Sequence, residues 1–264
     1  MLLLALWTAS AAFAQPYDYH VYIDSDLRAA TGCTVSGGGQ TFEGADYRLT
    51  ATVSGNPPVV TARTLTPCSG GSFGAGGALA ANYPVGLNNG VPLSGGNFAD
   101  VIELSLARAQ MPGVEPLVRI GFGAVSATGS IDVLYTANGV VGGPPMVVGT
   151  PAVIPTIGFF GGLLLAIGLA VLALRTLKRN RMLAQMLLVG AFISAGFAAW
   201  AANFIDDGQV GDWTGVSPVG MDAIGDSLPN LSATDIVAGF AADENRNLHF
   251  RIDVVDAANR PPLA

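Results

Sequence analysis

The sequence predicts a mainly β chain, a disulfide-bonded β-sandwich or jelly roll, joined to a two-helix transmembrane hairpin. Three observations carry that prediction. Gly and Pro supply 35 and 16 of the 264 residues, a composition of tight turns, not of soluble helices. Short runs of β-branched and aromatic residues alternate with polar ones on both sides of the chain's middle, which is the period of a half-buried strand. Only 12% of residues are charged and mean hydropathy is +0.48, because two long stretches carry no charge at all.

Residues 1–14 read as a secretory signal peptide. They are apolar, too short to span a bilayer, and end in Ala12-Phe13-Ala14 before Gln15, the small-x-small pattern of a cleavage site; a buried N-terminal strand is the alternative. Residues 15–150 follow as an extracytoplasmic β-sandwich-like domain. Its first strand is Tyr17-Asp-Tyr-His-Val-Tyr-Ile-Asp24, and further candidates are Tyr47 to Val53, Val59 to Leu65, Val101 to Leu106, Val118 to Ala124 and Ile131 to Thr136. Gly, Pro and Asn turns separate them.

The hairpin is expected from 153 to 205. Val153 to Leu174 runs 22 residues without a charge, enough helix to cross about 30 Å of hydrocarbon. Residues 183–205 form a second such stretch, with Trp200 where an interfacial aromatic belongs. The turn between them, 175–182, holds Arg175, Lys178, Arg179 and Arg181, and basic residues at membrane ends stay on the cytoplasmic side. That topology places 15–150 and the acidic β segment 206–264 outside the cytoplasm, anchored in a lipid bilayer. A rival reading takes Lys178 to Ala201 as a second signal-like segment cleaved before Ala202.

Charge removes one class of partner. The net charge is −7; the lone basic cluster is too short to neutralise phosphates, so nucleic acid is excluded.

Cys33 and Cys68 are the only cysteines, and in an exported chain an isolated pair is most simply a disulfide. Zinc would need more soft ligands than these two and a distant His20 or His249. Asp24, Asp26 and Asp46 flank strand ends and would suit calcium, which takes oxygen ligands, or serve as solvated turn residues. No other cofactor is implied. The run Gly70 to Gly77 lacks the Lys-Ser/Thr of a phosphate loop and reads as a mobile loop. Trp213 and Tyr22 are candidates for stacking against sugar rings, weighed against an ordinary core role. Neither histidine has a triad partner that the sequence supports, so the chain is not expected to be an enzyme.

Gly149-Thr-Pro-Ala-Val-Ile154-Pro155-Thr156-Ile157, followed by a span and an Arg-rich stop, resembles the IPTL-type C-terminal sorting signal of Gram-negative surface proteins. Ile154, Pro155, Thr156 and Gly161 match that pattern, while Gly158, Phe159 and Phe160 replace its Ser-Glu-Trp part. The resemblance implies a sorting protease as partner. Further on, Asp206-Asp-Gly-Gln-Val-Gly-Asp212-Trp213, Asp235 to Asp243 and Asn247-Leu-His-Phe-Arg-Ile-Asp253 resemble the opening of DOMON-like and family-nine carbohydrate-binding-like β-sandwiches. The strands expected next in such domains resemble residues 19–26 and 44–49. The two flanks thus resemble complementary halves of one fold in permuted order.

Together these readings imply a membrane-anchored protein of the bacterial cell envelope with a carbohydrate-binding-like β domain, acting in surface display or adhesion on an envelope glycan. The alternatives are a structural scaffold without a ligand, or a piece of a longer repeat-containing surface protein.

Overall fold

The computed structural model describes residues 16–149 and 204–255 apart from 56, 93–97, 127–128, 130, 225–234 and 245, with isolated positions between 150 and 203. The first part supplies β1 (Tyr17–Asp24), β2 (Cys33–Gly37), β3 (Gln40–Ala45), β4 (Tyr47–Ser54), β5 (Val59–Ser69), β6 (Ser72–Phe73) and β7 (Gly77–Ala78). It continues with β8 (Val85–Pro92), β9 (Phe98–Ala107), β10 (Leu117–Ser126), β11 (Ile131–Leu134) and β12 (Met146–Gly149). The second part supplies β13 (Gly220–Met221), β14 (Ile236–Glu244) and β15 (Asn247–Val255).

Two antiparallel sheets share one core. The larger runs β11-β10-β1-β4-β5-β6, with β12 also on β10 and β7 on β5; the smaller runs β13-β14-β15-β9-β8. Alternation dictates which side chains meet between them. Tyr19, Val21 and Ile23 of β1 and Val118, Ile120 and Phe122 of β10 join Ile102, Leu104 and Leu106 of β9 and Leu248, Phe250 and Ile252 of β15 in one buried cluster. The unit is a sandwich built from residues on both sides of 150–203, and β15 pairs with β9 through nine registered residues, Asn247↔Ala107 to Val255↔Ala99.

The hairpin β2-β3 forms a third layer on the outer face of the larger sheet. Tyr22, Phe42, Ala45, Val133 and Tyr135 make a second apolar cluster beneath it. Gly121 stands opposite Tyr22, and a Cβ there would come within 2.8 Å of the Tyr135 ring and 2.9 Å of the Phe42 ring. The disulfide Cys33–Cys68 fastens this hairpin to β5.

The expected two-helix hairpin is corrected. Among the described residues no helix is long and apolar enough to cross a membrane, and their fold is mainly β. At the end of the second expected span, Phe204 belongs to the sandwich instead: its ring stacks on His249 at 5.0 Å and its N–H donates to Glu244 Oε2 at 3.2 Å. Lack of charge permits a lipid environment but equally suits packing on a sheet. Residues 1–14, the turn 175–182 with Arg175, Lys178, Arg179 and Arg181, and the motif Ile154, Pro155, Thr156 and Gly161 lie outside the described residues, as do all but isolated positions of 153–174 and 183–203.

Gly239 of β14 lies against the ring of Phe122 of β10, which occupies the space a Cβ would take. Gly239→Ala should therefore cost about 1–3 kcal/mol through overpacking, read as a lower denaturation midpoint. Adding Phe122→Leu should restore part of the loss, a coupling expected only of residues in contact.

Candidate functional site

Two places gather polar groups into defined geometry. The first is a corner where the turn after β1, the start of β4 and β10 meet. Asp24 is the last residue of β1 and stands directly opposite Arg119 in the β1-β10 register, an arrangement in which opposite charges attract across a sheet. The Arg119 guanidinium lies 2.8 Å from Asp24 Oδ2, donates to the Glu43 carbonyl and sits 4.9 Å over the Phe42 ring. Burial moves the Asp24 carboxyl above its ordinary range, opposed chiefly by the Arg119 charge.

Asp46 and Asp26 complete the corner. Asp46 Oδ2 accepts the Ser25 N–H at 2.9 Å and the Ser25 hydroxyl at 2.7 Å. Asp26 Oδ1 accepts the Arg28 N–H at 2.9 Å and the Thr31 hydroxyl at 3.0 Å, the local bonding by which an Asp shapes a turn. One oxygen from each of Asp24, Asp26 and Asp46 lies within 4.8 Å of the others, a donor set of the kind that hard cations such as calcium accept. Beside it a shallow cleft is lined by Asp26, Asp46, Tyr47, Pro67, Cys68 and Pro112, among others. Burial raises the Tyr47 hydroxyl above its ordinary value, with the Asp46 charge adding to the rise.

The second place is the outer face of the smaller sheet, where Glu103 of β9 is fully buried. The segment 204–213 folds over it. Gly208 N–H donates to Glu103 Oε2 at 2.7 Å and the Trp213 indole N–H to Oε1 at 2.9 Å. Gly208 turns with φ +80°, and a Cβ there would lie 2.6 Å from the Leu87 carbonyl oxygen, so the Asp-Gly step is what lets this N–H reach the carboxyl. Phe204 packs edge-on to Trp213 at 4.7 Å, and Phe240 lies 6.0 Å from Trp213 beneath the Arg251 guanidinium at 4.5 Å. Arg251 faces Glu103 across the β9-β15 ladder yet binds Asp253 through two hydrogen bonds of 2.7 Å.

Trp213 and Tyr22 are each 4% exposed. They stand on the outer faces of different sheets, Trp213 beneath Phe204 and Tyr22 beneath the β2-β3 hairpin, and burial pushes the Tyr22 hydroxyl up to about 12. The structure does not bring them together. It does bring together Asp24, Asp26 and Asp46, and it joins Cys33 to Cys68. Glu103 is the residue that sequence reasoning passed over, since an acid alternating with Ile102 and Leu104 reads as a solvated strand face. The available signal was Trp213, whose buried indole N–H requires an acceptor. Comparison with family models, with curated proteins and with solved structures finds no match to this chain.

The pH dependence of Glu103 has a definite sign. Burial pushes its carboxyl up to about 7 from 4.5, against the Gly208 N–H, with Asp212 and Asp206 adding to the rise. The folded chain therefore keeps a proton that the unfolded chain releases, and the associated stability is complete below about 4.5 and lost as pH rises through about 7. His20 runs the other way: burial, then the Arg48 charge, lowers it from 6.5 to about 4, so its contribution is present above 6.5 and lost as pH falls. Chemical denaturation of wild type and Glu103→Gln across pH 4.5–7 should show the difference between them changing by up to about 1.4 kcal/mol per pH unit. At the corner, Asp46→Ala removes the acceptor of both Ser25 bonds and should cost about 1–3 kcal/mol, measured the same way.

Proposed function

We propose that the chain is a non-catalytic surface protein of the bacterial cell envelope whose two-part β-sandwich binds an envelope glycan in display or adhesion. The observation that carries this reading is the cleft beside the acid corner. Carboxylates of Asp26 and Asp46 accept hydrogen bonds from sugar hydroxyls, and Tyr47, Pro67 and Pro112 offer the apolar edges that pack on a sugar's C–H face. Calcium held by Asp24, Asp26 and Asp46 would add a Lewis-acidic partner for vicinal hydroxyls.

The disulfide supports a location outside the cytoplasm, since such bonds persist in oxidising compartments. The resemblances at 154–161 and 206–253 favour the same location and a carbohydrate-binding-like fold, with a sorting protease as a further partner. A second reading, a scaffold without a ligand, draws on the burial of Trp213 and Tyr22, because a stacking platform presents its rings to solvent.

A glycan array probed with the full chain, with and without calcium chloride, separates the two. Retention of an envelope polysaccharide is expected, falling at least tenfold for Asp26→Asn combined with Tyr47→Ala; silence under both conditions would leave the scaffold. 

A further inference from the structure

The disulfide stands at the acid corner, and its two sulfurs reach that corner by different routes. From β1 the chain runs through Asp26 and the exposed stretch 27–32 into Cys33 at the start of β2. Gly32, the last residue of that stretch, lies against the backbone of 44–45, where a Cβ would come within 2.7 Å of the Gly44 carbonyl carbon. Cys33 pairs with Ala45, and the next residue is Asp46. From the other side Cys68 donates its N–H to the Asp46 carbonyl at 2.7 Å, and Pro67 stands opposite Tyr47. The bond thus closes a small ring, Cys33 to Ala45 to Asp46 to Cys68 and back, beside the cleft. Asp46 belongs to this ring and Asp26 hangs on the arm that ends at Cys33, so the spacing of the two carboxylates is set through the sulfurs.

The core does not pass through this ring. Among the described residues β2-β3 is a two-stranded sheet of its own, and neither cysteine belongs to the apolar cluster between the large sheets or to the one beneath the hairpin. With the bond open, Phe42 still packs on Tyr22 and Tyr135, and the Gln40 side-chain N–H still donates to the Gly139 carbonyl at 2.9 Å. What loses its anchor is the arm 26–32 and the end of β5. The two sulfurs also differ in access. Cys33 is 1% exposed, whereas Cys68 is partly exposed and lines the cleft, so a reagent approaches from the Cys68 side.

We propose that the Cys33–Cys68 bond is a redox-sensitive clamp on the cleft, holding the carboxylates of Asp26 and Asp46 in place when closed and releasing them when an external dithiol opens it. A thiolate of the dithiol attacks the Cys68 sulfur, forming a mixed disulfide and expelling Cys33 as a thiolate that takes a proton from water. The reagent's second thiolate then attacks the reagent's own sulfur in that mixed disulfide, and Cys68 leaves and is protonated in the same way. The dithiol departs oxidised to a disulfide, and the chain has gained two electrons and two protons. Oxidising compartments keep the clamp closed. It operates whatever the cleft holds; that opening it weakens glycan retention rests on the function proposed above.

Amide NMR spectra of the isotope-labelled full chain, taken before and after treatment with dithiothreitol, read the clamp without any ligand. Thiol titration of the treated, folded chain should find both cysteines free. Amides of 25–33, 44–47 and Cys68 should shift and gain mobility while those of β9 and β15 stay where they were. Three results overturn the proposal: a bond that resists the reductant in the folded chain, a spectrum altered at Cys33 and Cys68 alone, or loss of dispersed signals throughout, the mark of a bond that staples the whole fold. Cys33→Ala combined with Cys68→Ala should reproduce the reduced spectrum, and a double variant that superposes on the oxidised chain counts against the clamp as well. Retention on the glycan array should fall at least tenfold on reduction. If the corner amides move but neither form retains a glycan, the glycan reading fails and the clamp stands; if they move and retention holds constant, the clamp does not govern the cleft.

Discussion

The register between β9 and β15 is the constraint on which the rest of the unit depends. With Ile102 opposite Ile252 and Glu103 opposite Arg251, Ile102, Leu104 and Leu106 of β9 and Leu248, Phe250, Ile252 and Val254 of β15 enter the core, while Glu103, Arg251 and Asp253 take the other face. A slip of one residue would invert the arrangement and drive Glu103 and Arg251 between the sheets. Several contacts outside the ladder hold it in place: the Arg108–Asp243 pair at one end, Gly239 under Phe122, and Asp132 on the Ile236 N–H. Each joins parts of the chain more than a hundred residues apart, so tertiary structure fixes the register where no hairpin turn does so.

Carboxylates fasten loops to strands in both polar places, under different dielectric conditions. At the corner Asp46 and Asp26 are partly open to solvent, and their bonds to Ser25, Arg28 and Thr31 shape a turn. Under segment 204–213 Glu103 is sealed from water, and two N–H donors take the place of its hydration shell. Removing either donor leaves a buried acceptor unpaired, which costs more than the bond itself contributes. The Asp207-Gly208 and Asp212-Trp213 steps thus serve one purpose: each aims an N–H at the same carboxyl.

Much of this was legible from local pattern. Alternation located β1, β4, β9, β10 and β11, and the lone cysteine pair announced its bond. The outlying strands were harder. The hairpin β2-β3 is written in Gly, Thr and Ser and is defined by Phe42 and Val35 packing on Tyr22 and Tyr135, a tertiary effect with no local period. Ser72–Phe73 and Gly77–Ala78 sit in a glycine-rich run that reads as loop, yet pair with β5. Phe204 shows the limit of hydropathy, since an apolar side chain scores alike whether lipid or the face of a sheet receives it. Glu103 was hidden for a related reason: alternation tells which face a residue takes, not what later covers that face.

The order of the strands along the chain bears on how the protein comes into being. Synthesis proceeds from the N-terminus, so β9 emerges roughly 140 residues before the strand that pairs with it, and ribosomes add about 5–20 residues per second. For that interval a strand with an apolar face and an open row of N–H and C=O groups has no native neighbour on one side, a configuration that invites foreign strands. Nascent chains of this protein should therefore lean on holdase chaperones until residues 247–255 have been made.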